Sequence, residues 1–373
     1  MKKALLFANT DWYIFNFRRA LAHGLVNANY EVIFVCPSGD YAERLKLEGF
    51  RIIPFQMTGR SMGVLSNLKV LLRIFRIYRA EKPQIVHHFT IKCVLGGGIA
   101  ARLLSIPRIN AITGLGHLFI HKSLKVRVLR TAVKLAYRFA CGGQNVHSIF
   151  QNQDDQSLFI KEKMATFQMS SVIRGSGVDC NKFRPSSAVR PCGPCRVLFV
   201  GRLTREKGVF ELLRAARSAK EEGAEFELIL AGQVYPGNPS SLTEKQVEAV
   251  RLSEEATLLG HVSDMLSLLQ RVDLVVLPSY SEGTPKSLLE AAACGLPIVA
   301  TDIPGCRGLV IPGHNGELVN PRCVQSLKES LVKLSGDPDL CLRYGAESRK
   351  IASEHFSDEK VISHTLLVYS NLT

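Results

Sequence analysis

The stretch VDLVVLPSYSEGTPKSLLEAAACGLPIVATD, residues 272–302, predicts a strand, a helix and a second strand in succession. Aliphatic residues form its two ends, and small apolar residues fill its middle. Thr284 and Pro285 are typical of a helix cap and a first helical position, and Gly295 is typical of a helix end. Because two strands joined by a helix form a parallel β-α-β unit, this stretch predicts an α/β fold.

The same alternation of short aliphatic strands and longer amphipathic segments runs through the chain in two series. We expect the first series to be a domain of residues 1–185 and the second a domain of residues 196–357, with a proline-rich linker at 186–195. Repeated β-α-β units predict two Rossmann-like, doubly wound parallel-sheet domains, which we expect to face a central cleft. The predicted strands are KKALLFAN, YEVIFVCP, RIIPFQ, QIVHHFT, RINAITG, VHSIFQN and SSVIRGS, then RVLFVGR, FELILAGQ, ATLLGHV, VDLVVLPSY, LPIVATD and GELVN.

Four charged residues follow predicted strands of the second series. Arg202 and Lys207 follow its first strand, Glu282 follows the first strand of residues 272–302, and Glu290 lies in the helix of that stretch. Ligands of open α/β sheets bind at the carboxyl ends of strands, where a helix N-terminus and two cations suit a diphosphate. Carboxylates repel phosphate, so the glutamates favour hydroxyl groups, and a sugar nucleotide offers both chemistries. The alternative is a solvated loop and an exposed helix face.

The positive charge is concentrated in the first half of the chain. Residues 1–185 hold 27 Lys and Arg against 10 Asp and Glu, a balance of +17, while the whole chain carries +14. The basic segments 68–82 and 122–138 mix cations with apolar residues at helical spacing, which predicts contact with an anionic membrane surface. The alternative is a pair of helices that only cover the sheet. Nucleic acid is disfavoured because no recognition motif accompanies the charge.

The sequence disfavours secretion, membrane spanning, redox catalysis and metal binding. The N-terminal apolar run is too short for a signal peptide, and the longest apolar stretch is too short to cross a bilayer. The motif CGPC, Cys192 to Cys195, precedes a strand, which favours a turn over a redox site. The motif DPD, Asp337 to Asp339, is better explained by a helix cap than by a metal site. We therefore expect no metal and no cofactor beyond a co-substrate.

The motifs VGRLTREKG, GSGVDCNKFRP, LPSYSEGTPKSLLEAAACGLPIVATDIPGCRGLV and HNGELV occur in the order and at about the spacing of a known family. The chain resembles the GT-B retaining glycosyltransferases of family 4, and within them the bacterial enzymes that extend lipid-linked O-antigen, capsule or glycoprotein oligosaccharides. The resemblance covers essentially the whole chain. It implies a metal-independent transfer from a nucleotide sugar, a UDP-sugar, to a polyprenyl-diphosphate-linked saccharide, at the cytoplasmic face of the membrane.

The resemblance also implies a role for each matched residue. Arg202 and Lys207 would hold the diphosphate, Glu282 the transferred sugar, and Glu290 the ribose, with the first three taken as catalytic. The remaining donor-binding residues would be Gly201 and the phosphate-end residues Gly283, Thr284 and Pro285, together with Gly260, His261 and Val262, which would meet the base. The family also implies that residues of about 358–373 cross back to the first domain.

The first domain departs from the family pattern at the positions expected to meet the acceptor. Many relatives have a Gly-Gly pair after the first strand and a histidine before the motif GLG, and neither is present here. The acceptor-side candidates are Asn9, Thr10, Asp11, His87, His88, Thr113 and His117. Asp11 is equally explained as a helix cap, His117 as a loop residue, and one of the adjacent histidines as a core residue.

Three functions compete. The first is the transferase. The second is a sugar-nucleotide epimerase of the same fold, which would turn over the donor without an acceptor. The third is a non-catalytic, membrane-associated partner that retains a nucleotide pocket; the combination of Arg202, Lys207, Glu282 and Glu290 disfavours it.

Overall fold

The computed structural model describes residues 1–57, 64–114, 124–186, 193–234, 238, 240–253 and 255–373. The chain divides into two compact units. The first unit is Met1–Ser176 together with Asp358–Thr373, and the second is Gly177–Ser357.

The first unit is a seven-stranded parallel sheet with helices between the strands. Its sheet order is β3-β2-β1-β4-β5-β6-β7. The strands are β1 (Lys2–Phe7), β2 (Tyr30–Cys36), β3 (Arg51–Pro54), β4 (Ile85–Phe89), β5 (Arg108–Ile112), β6 (Val146–Phe150) and β7 (Ser170–Val172). The helices are α1 (Asp11–Phe17), α2 (Arg19–Asn27), α3 (Asp40–Leu47), α4 (Val64–Glu81), α5 (Ile91–Leu103), α6 (Leu124–Cys141), α7 (Gln153–Lys161) and the C-terminal α15 (Asp358–Leu372).

The second unit is a six-stranded parallel sheet of the same type. Its sheet order is β10-β9-β8-β11-β12-β13. The strands are β8 (Cys195–Val200), β9 (Phe226–Ala231), β10 (Thr257–Gly260), β11 (Leu274–Leu277), β12 (Ile298–Thr301) and β13 (Gly316–Val319). The helices are α8 (Val209–Glu221), α9 (Glu244–Leu252), α10 (Met265–Leu269), α11 (Lys286–Ala293), α12 (Pro304–Arg307), α13 (Val324–Ser335) and α14 (Pro338–His355), with a 3-10 helix at Arg205–Lys207.

Both sheets have the doubly wound topology that the sequence predicts, and each predicted strand segment overlaps an observed strand. The strand order reverses between β1 and β4 in the first unit and between β8 and β11 in the second. At such a switch point the two following loops run in opposite directions and leave a crevice, where ligands of this fold class bind.

The boundary between the units lies at Ser176 and Gly177, nine residues before the predicted end of the first domain at residue 185. Residues 177–185 belong to the second unit because its own C-terminal part holds them. The Val178 N–H donates to the Phe356 carbonyl at 3.0 Å, and the Arg349 guanidinium donates to the carbonyl of Phe183 at 2.8 Å. The prediction from proline content therefore put the boundary between the domains nine residues too late in the chain. Residues 187–192 of the predicted linker lie outside the described residues.

The C-terminal helix α15 belongs to the core of the first unit. Val361, Val368 and Tyr369 are buried in the cluster that covers one face of the first sheet. A side chain at Gly24 of α2 would meet Ile362 at 2.5 Å, so the two helices pack in close contact. In the part of the chain that the structure describes, no helix is long and apolar enough to cross a bilayer.

Both histidines of β4 are buried, which corrects the expectation that one would face an acceptor from the strand end. His88 is fully buried; its Nε2 lies 2.9 Å from the Tyr78 hydroxyl and its Nδ1 lies 2.7 Å from Asn110 Oδ1. Burial lowers the pKa of His88 to about 3, and it also lowers the pKa of His87 well below the ordinary value. His88 is therefore a structural residue that stays neutral at physiological pH.

We expect acid to destabilise the protein through these histidines. Between pH 6.5 and about 3 the unfolded chain binds a proton at His88 and the folded chain does not, so the free energy of unfolding falls as pH falls. One such histidine changes the free energy of unfolding by about 1.4 kcal/mol per pH unit. Urea unfolding of His88→Gln between pH 6 and pH 4 is predicted to show a shallower pH slope than the parent. His23→Gln, at an exposed histidine, is the control; equal slopes for His88→Gln and the parent would contradict this account.

Candidate donor-binding site

The loop after β8 brings Arg202 and Lys207 to the switch point of the second sheet. Arg202 is exposed, and Lys207 ends the 3-10 helix with its side chain 19% exposed. Gly208 follows with a left-handed φ of 72°, and a Cβ there would lie 2.1 Å from the Pro278 carbonyl oxygen. Only glycine allows this close approach, which brings the loop after β8 against the end of β11.

The loop after β11 is fastened to the loop after β8 by its backbone. The Tyr280 N–H donates to the Glu206 carbonyl at 2.8 Å, and the Ser279 hydroxyl donates to the same carbonyl at 3.2 Å. Both loops are therefore held at the same edge of the sheet. Glu282, two residues after Tyr280, is positioned by this attachment.

Lys207 and Glu282 are in direct contact. The Lys207 ammonium donates a hydrogen bond to Glu282 Oε1, and both side chains are mostly buried. An ammonium has three hydrogens to donate, so this contact leaves two for other acceptors. The pair places a fixed positive charge and a carboxylate side by side at the carboxyl ends of β8 and β11.

Helix α11 begins later than the sequence predicts. Pro285 occupies the cap position and Lys286 is the first helical residue, so Thr284 is not the cap residue and the first-turn prediction for Pro285 is wrong by one position. The predicted end is confirmed: Gly295 has a left-handed φ of 71°, and it donates to the Ala292 carbonyl at 2.9 Å. The one-residue shift arises because the fixed φ of proline is compatible with the cap position as well as with the first turn of a helix.

Glu290 lies on the second turn of α11 and is largely buried. Burial raises the pKa of Glu290, while the Lys286 ammonium, 3.9 Å away, and Lys182 act in the opposite direction. A buried carboxylate whose negative charge is only partly compensated by nearby lysines is a strong hydrogen-bond acceptor for a hydroxyl group. Sequence reasoning missed both lysines, although the spacing of Lys286 and Glu290, four positions apart on a helix, was a usable signal.

Two further glycines and the β10 loop complete this edge of the sheet. A Cβ at Gly305 would lie 1.9 Å from the Gly283 carbonyl oxygen, so α12 packs directly against the loop that carries Glu282. Gly201 directly follows β8. Gly260 ends β10 with a left-handed φ of 68°, and it is followed by the exposed His261 and the half-buried Val262. All predicted donor residues therefore lie at or after the carboxyl ends of strands in one sheet or lie on α11.

The predicted acceptor residues of the first unit have mostly structural roles. Thr10, rather than Asp11, caps α1, since its hydroxyl accepts from the Tyr13 N–H at 3.1 Å. The Asp11 carboxylate accepts from the Ala42 N–H of α3 at 3.1 Å, which ties α3 to the start of α1. Asn9 is half-buried at the end of β1.

The other acceptor candidates lie further along the sheet. Thr113, after β5, lines a small cavity together with His87. His117 lies outside the described residues. The structure therefore does not bring the six described acceptor candidates together as one cluster of exposed polar groups.

The basic segments lie on α4 and α6. On α4, Ile74 and Tyr78 are buried, whereas Leu68, Leu72 and several cations are exposed. On α6, Lys134 pairs with Glu162 at 2.8 Å and Arg138 donates to the Glu162 carbonyl. Lys122 and the side chains of Lys125 and Arg127 lie outside the described part of the chain. Each helix therefore covers the sheet with one face and leaves charged residues on another.

The DPD motif behaves as the simpler interpretation predicts. The Asp337 carboxylate accepts from the Leu340 N–H at 2.9 Å and caps α14, which confirms the helix-cap interpretation of DPD. Cys195 of CGPC is the first residue of β8, and Cys192 lies outside the described residues.

Comparison with known proteins identifies the class that this fold and site define: GT-B glycosyltransferases. The model "Glycosyl transferases group 1" matches residues 186–351, and the model "Glycosyl transferase 4-like" matches residues 3–142, so together they span most of the chain. The chain belongs to the GT-B glycosyltransferases of the family 4 type, and it is a glycosyltransferase.

Two curated relatives match over most of their length. The N,N'-diacetylbacillosaminyl-diphospho-undecaprenol alpha-1,3-N-acetylgalactosaminyltransferase of Campylobacter jejuni is 27% identical over 95% of this chain and 94% of its own. The UDP-Gal:alpha-D-GlcNAc-diphosphoundecaprenol alpha-1,3-galactosyltransferase of Escherichia coli is 27% identical over 84% of this chain and 82% of its own. Among solved structures, Anabaena HepE in complex with UDP matches with a TM-score of 0.77 at 22% identity and covers 100% of both chains, which supports the fold.

We expect the buried charge of Glu290 to cost stability. The variant Glu290→Gln is predicted to raise the thermal midpoint at pH 7 by a few degrees, since a neutral amide replaces a carboxylate whose pKa burial has raised. The gain should fade as pH falls toward 4.5, where the parent carboxyl is itself protonated. Thermal unfolding at both pH values checks this.

The matched control is Glu248→Gln, because the Glu248 side chain is 58% exposed. It should leave the midpoint unchanged at both pH values. An equal midpoint for Glu290→Gln and the parent at pH 7 would contradict the assignment of a buried, destabilising charge at this position.

Proposed function

We propose that the chain is a retaining, metal-independent glycosyltransferase that moves a hexose or N-acetylhexosamine from a UDP-sugar to a polyprenyl-diphosphate-linked saccharide. The observation that supports this most is the Lys207–Glu282 contact at the switch point of the second sheet. The contact places the Lys207 ammonium, a group that binds phosphate, beside the Glu282 carboxylate, a group that binds hydroxyls. A sugar diphosphate carries both of these partners.

The phosphate end of the donor would lie against Lys207 and Arg202. Lys207 uses one hydrogen for Glu282 and offers the others to phosphate oxygens, and Arg202 offers a planar, bidentate donor. As the bond between the sugar and the diphosphate breaks, negative charge develops on the leaving phosphate. Cations already fixed beside it stabilise that charge more than they stabilise the ground state, which accelerates the reaction without a metal.

The two glutamates would hold the two sugars of the donor. Glu282 would accept hydrogen bonds from hydroxyl groups of the transferred sugar, and its contact with Lys207 fixes its orientation. Glu290, on the second turn of α11, would accept from the ribose hydroxyls. Gly283, Thr284 and Pro285 would line the phosphate end beside the start of α11, while Gly201 and the loop of Gly260, His261 and Val262 would lie toward the nucleoside.

The acceptor assignment rests on the relatives. Both curated names specify an undecaprenol-linked diphosphate acceptor and an alpha linkage, and one specifies a UDP-sugar. Since common UDP-hexoses carry an alpha linkage, an alpha product means retention of configuration. In a retaining transfer of this kind, the acceptor hydroxyl attacks on the face that the diphosphate leaves, and the departing phosphate takes the acceptor proton. No second carboxylate needs to flank the bond, unlike in a glycosidase.

The transferase is tested by UDP release and by product analysis. The parent should release UDP from a panel of UDP-hexoses and UDP-N-acetylhexosamines only when an undecaprenyl-diphosphate saccharide is added. EDTA should leave the rate unchanged, and NMR of the product should show an alpha linkage. Lys207→Met and Glu282→Gln are predicted to lower kcat by about 10²–10³-fold.

Arg205→Gln is the matched control, because Arg205 is on the same 3-10 helix and lies over the Phe210 ring. It should retain the parent rate. Donor turnover without acceptor would favour the epimerase, a beta product would contradict retention, and loss of activity in EDTA would contradict metal independence.

We also propose that α4 holds the first unit against an anionic membrane surface at the cytoplasmic face, where a polyprenyl-linked acceptor is embedded. Leu68 and Leu72, 47% and 49% exposed, share a helix face with the exposed Arg76 and Arg79. Exposed leucines beside arginines match the chemistry of a lipid interface.

Vesicle sedimentation tests this surface. The parent should bind vesicles that contain about a third phosphatidylglycerol and not neutral vesicles, with binding that weakens in salt. The double variant Arg76→Gln and Arg79→Gln is predicted to bind several-fold less tightly. The control, Lys245→Gln with Arg251→Gln, neutralises two exposed cations of α9 in the second unit. An equal loss of vesicle binding in both double variants would contradict a role of α4 in membrane contact.

A further inference from the structure

Helix α1, which follows β1 in the first unit, is rich in aromatic residues. The structure describes all seven of its residues, and of these only Ile14 is buried, while Trp12 is 48% exposed. A single exposed apolar residue is common on protein surfaces, but core packing does not explain an exposed tryptophan within an aromatic helix. Four of the seven residues are aromatic, against 8% in the whole chain: Trp12, Tyr13, Phe15 and Phe17.

The rings of α1 form a continuous series from the solvent to the switch point of the first sheet. The centres of the Trp12 and Phe17 rings lie 5.4 Å apart in an edge-to-face arrangement, and the Phe17 and Tyr13 rings stack at 5.1 Å. The Tyr13 ring in turn lies 6.0 Å from the ring of Phe89, the last residue of β4. Since the strand order reverses between β1 and β4, Trp12 is the exposed end of an aromatic series at the edge where ligands of this fold class bind.

The backbone that carries the indole is held by side chains on both sides. Asp11 Oδ1 accepts from the Trp12 N–H at 2.9 Å, and Asn16 Nδ2 donates to the Trp12 carbonyl at 2.9 Å. Asp11 Oδ2 accepts from the Ala42 N–H, so the same carboxylate joins the start of α1 to α3. The position of Trp12 is therefore organised before a ligand arrives, which lowers the entropic cost of binding.

We propose that Trp12 is the surface on which one sugar ring of the acceptor saccharide stacks, an inference that rests on the proposed transferase function. The face of an indole carries partial negative charge and attracts the C–H groups of a pyranose ring, while the sugar hydroxyls need hydrogen-bonding side chains at the rim. Asn9 and Thr10 stand directly before α1 and provide such groups. The Thr10 hydroxyl accepts from the Tyr13 N–H and keeps its own hydrogen to donate.

A lipid surface is the competing partner for an exposed tryptophan. Leu6 of β1 packs in the same cluster as Ile14 of α1, whereas the adjacent Leu5 packs in the same cluster as Tyr78 of α4. Successive residues of a strand point to opposite faces of a sheet, so α1 and α4 cover opposite faces of the first sheet. The membrane surface proposed for α4 therefore does not extend to Trp12, which favours the saccharide.

Intrinsic fluorescence tests the contact without any variant, because Trp12 is the only tryptophan of the chain. The parent is titrated in detergent with undecaprenyl-diphosphate hexoses and N-acetylhexosamines, and with sugar-free undecaprenyl diphosphate as the matched control. Only the saccharides should shift the emission to shorter wavelength and protect it from acrylamide quenching. An equal change with the sugar-free lipid would assign Trp12 to lipid contact and overturn the proposal, as would the absence of a saccharide-dependent change across the panel.

UDP release, measured on the same samples, separates this inference from the proposed function. Release with an acceptor that leaves the emission unchanged would overturn the stacking role and leave the transferase standing. A saccharide-dependent emission change without UDP release from any donor would contradict the transferase and support the sugar contact.

Steady-state kinetics test whether the contact serves the acceptor. Trp12→Leu is predicted to raise the KM for the acceptor about tenfold, with kcat and the KM for the UDP-sugar close to the parent values. Trp12→Phe, which keeps a flat ring, should recover most of this loss. The matched control is Phe167→Leu, which removes a side chain 66% exposed elsewhere in the first unit and should leave the acceptor KM unchanged. A lower kcat with an unchanged acceptor KM in Trp12→Leu would indicate a structural role and contradict the proposal.

Discussion

The hydrogen bond between Lys207 and Glu282 joins the two loops on which the donor-site account depends. The loops follow β8 and β11, which are neighbours in the sheet although 73 residues separate Gly201 from Leu274 in the chain. Parallel strands bring their carboxyl ends to the same edge, so the topology alone makes this encounter possible. The backbone contacts of Tyr280 and the absence of a side chain at Gly208 then bring the loops close enough for the two side chains to meet.

The candidate donor site carries features that oppose stability. Glu290 is a mostly buried carboxylate whose charge is only partly compensated, and Gly208 and Gly305 leave no room for a side chain. Such features persist where function requires them, because a fold under selection for stability alone would remove them. In the second unit, the parallel sheet is buried on both faces, and its hydrophobic packing offsets the destabilising effect of these features.

The fold and the placement of the candidate donor residues were predictable from sequence because they depend on local patterns. Short aliphatic runs predict strands, and residues directly after a strand must lie at its carboxyl end, which correctly placed Lys207 and Glu282 in one region. Features that depend on tertiary contacts were not predictable. The boundary at Ser176 depends on hydrogen bonds to Phe356 and Arg349, far away in sequence. The burial of His88 depends on Tyr78 and Asn110, and the capping by Thr10 instead of Asp11 depends on one hydroxyl orientation.

The most direct test of the central claim is a crystal structure of the protein with a UDP-sugar or its non-hydrolysable analogue. The account predicts that the diphosphate lies within hydrogen-bond distance of Lys207 Nζ and the Arg202 guanidinium. It further predicts that the transferred sugar contacts Glu282 and that the ribose contacts Glu290. A donor bound with its diphosphate away from Lys207, or with neither glutamate in contact with a sugar hydroxyl, would contradict the account.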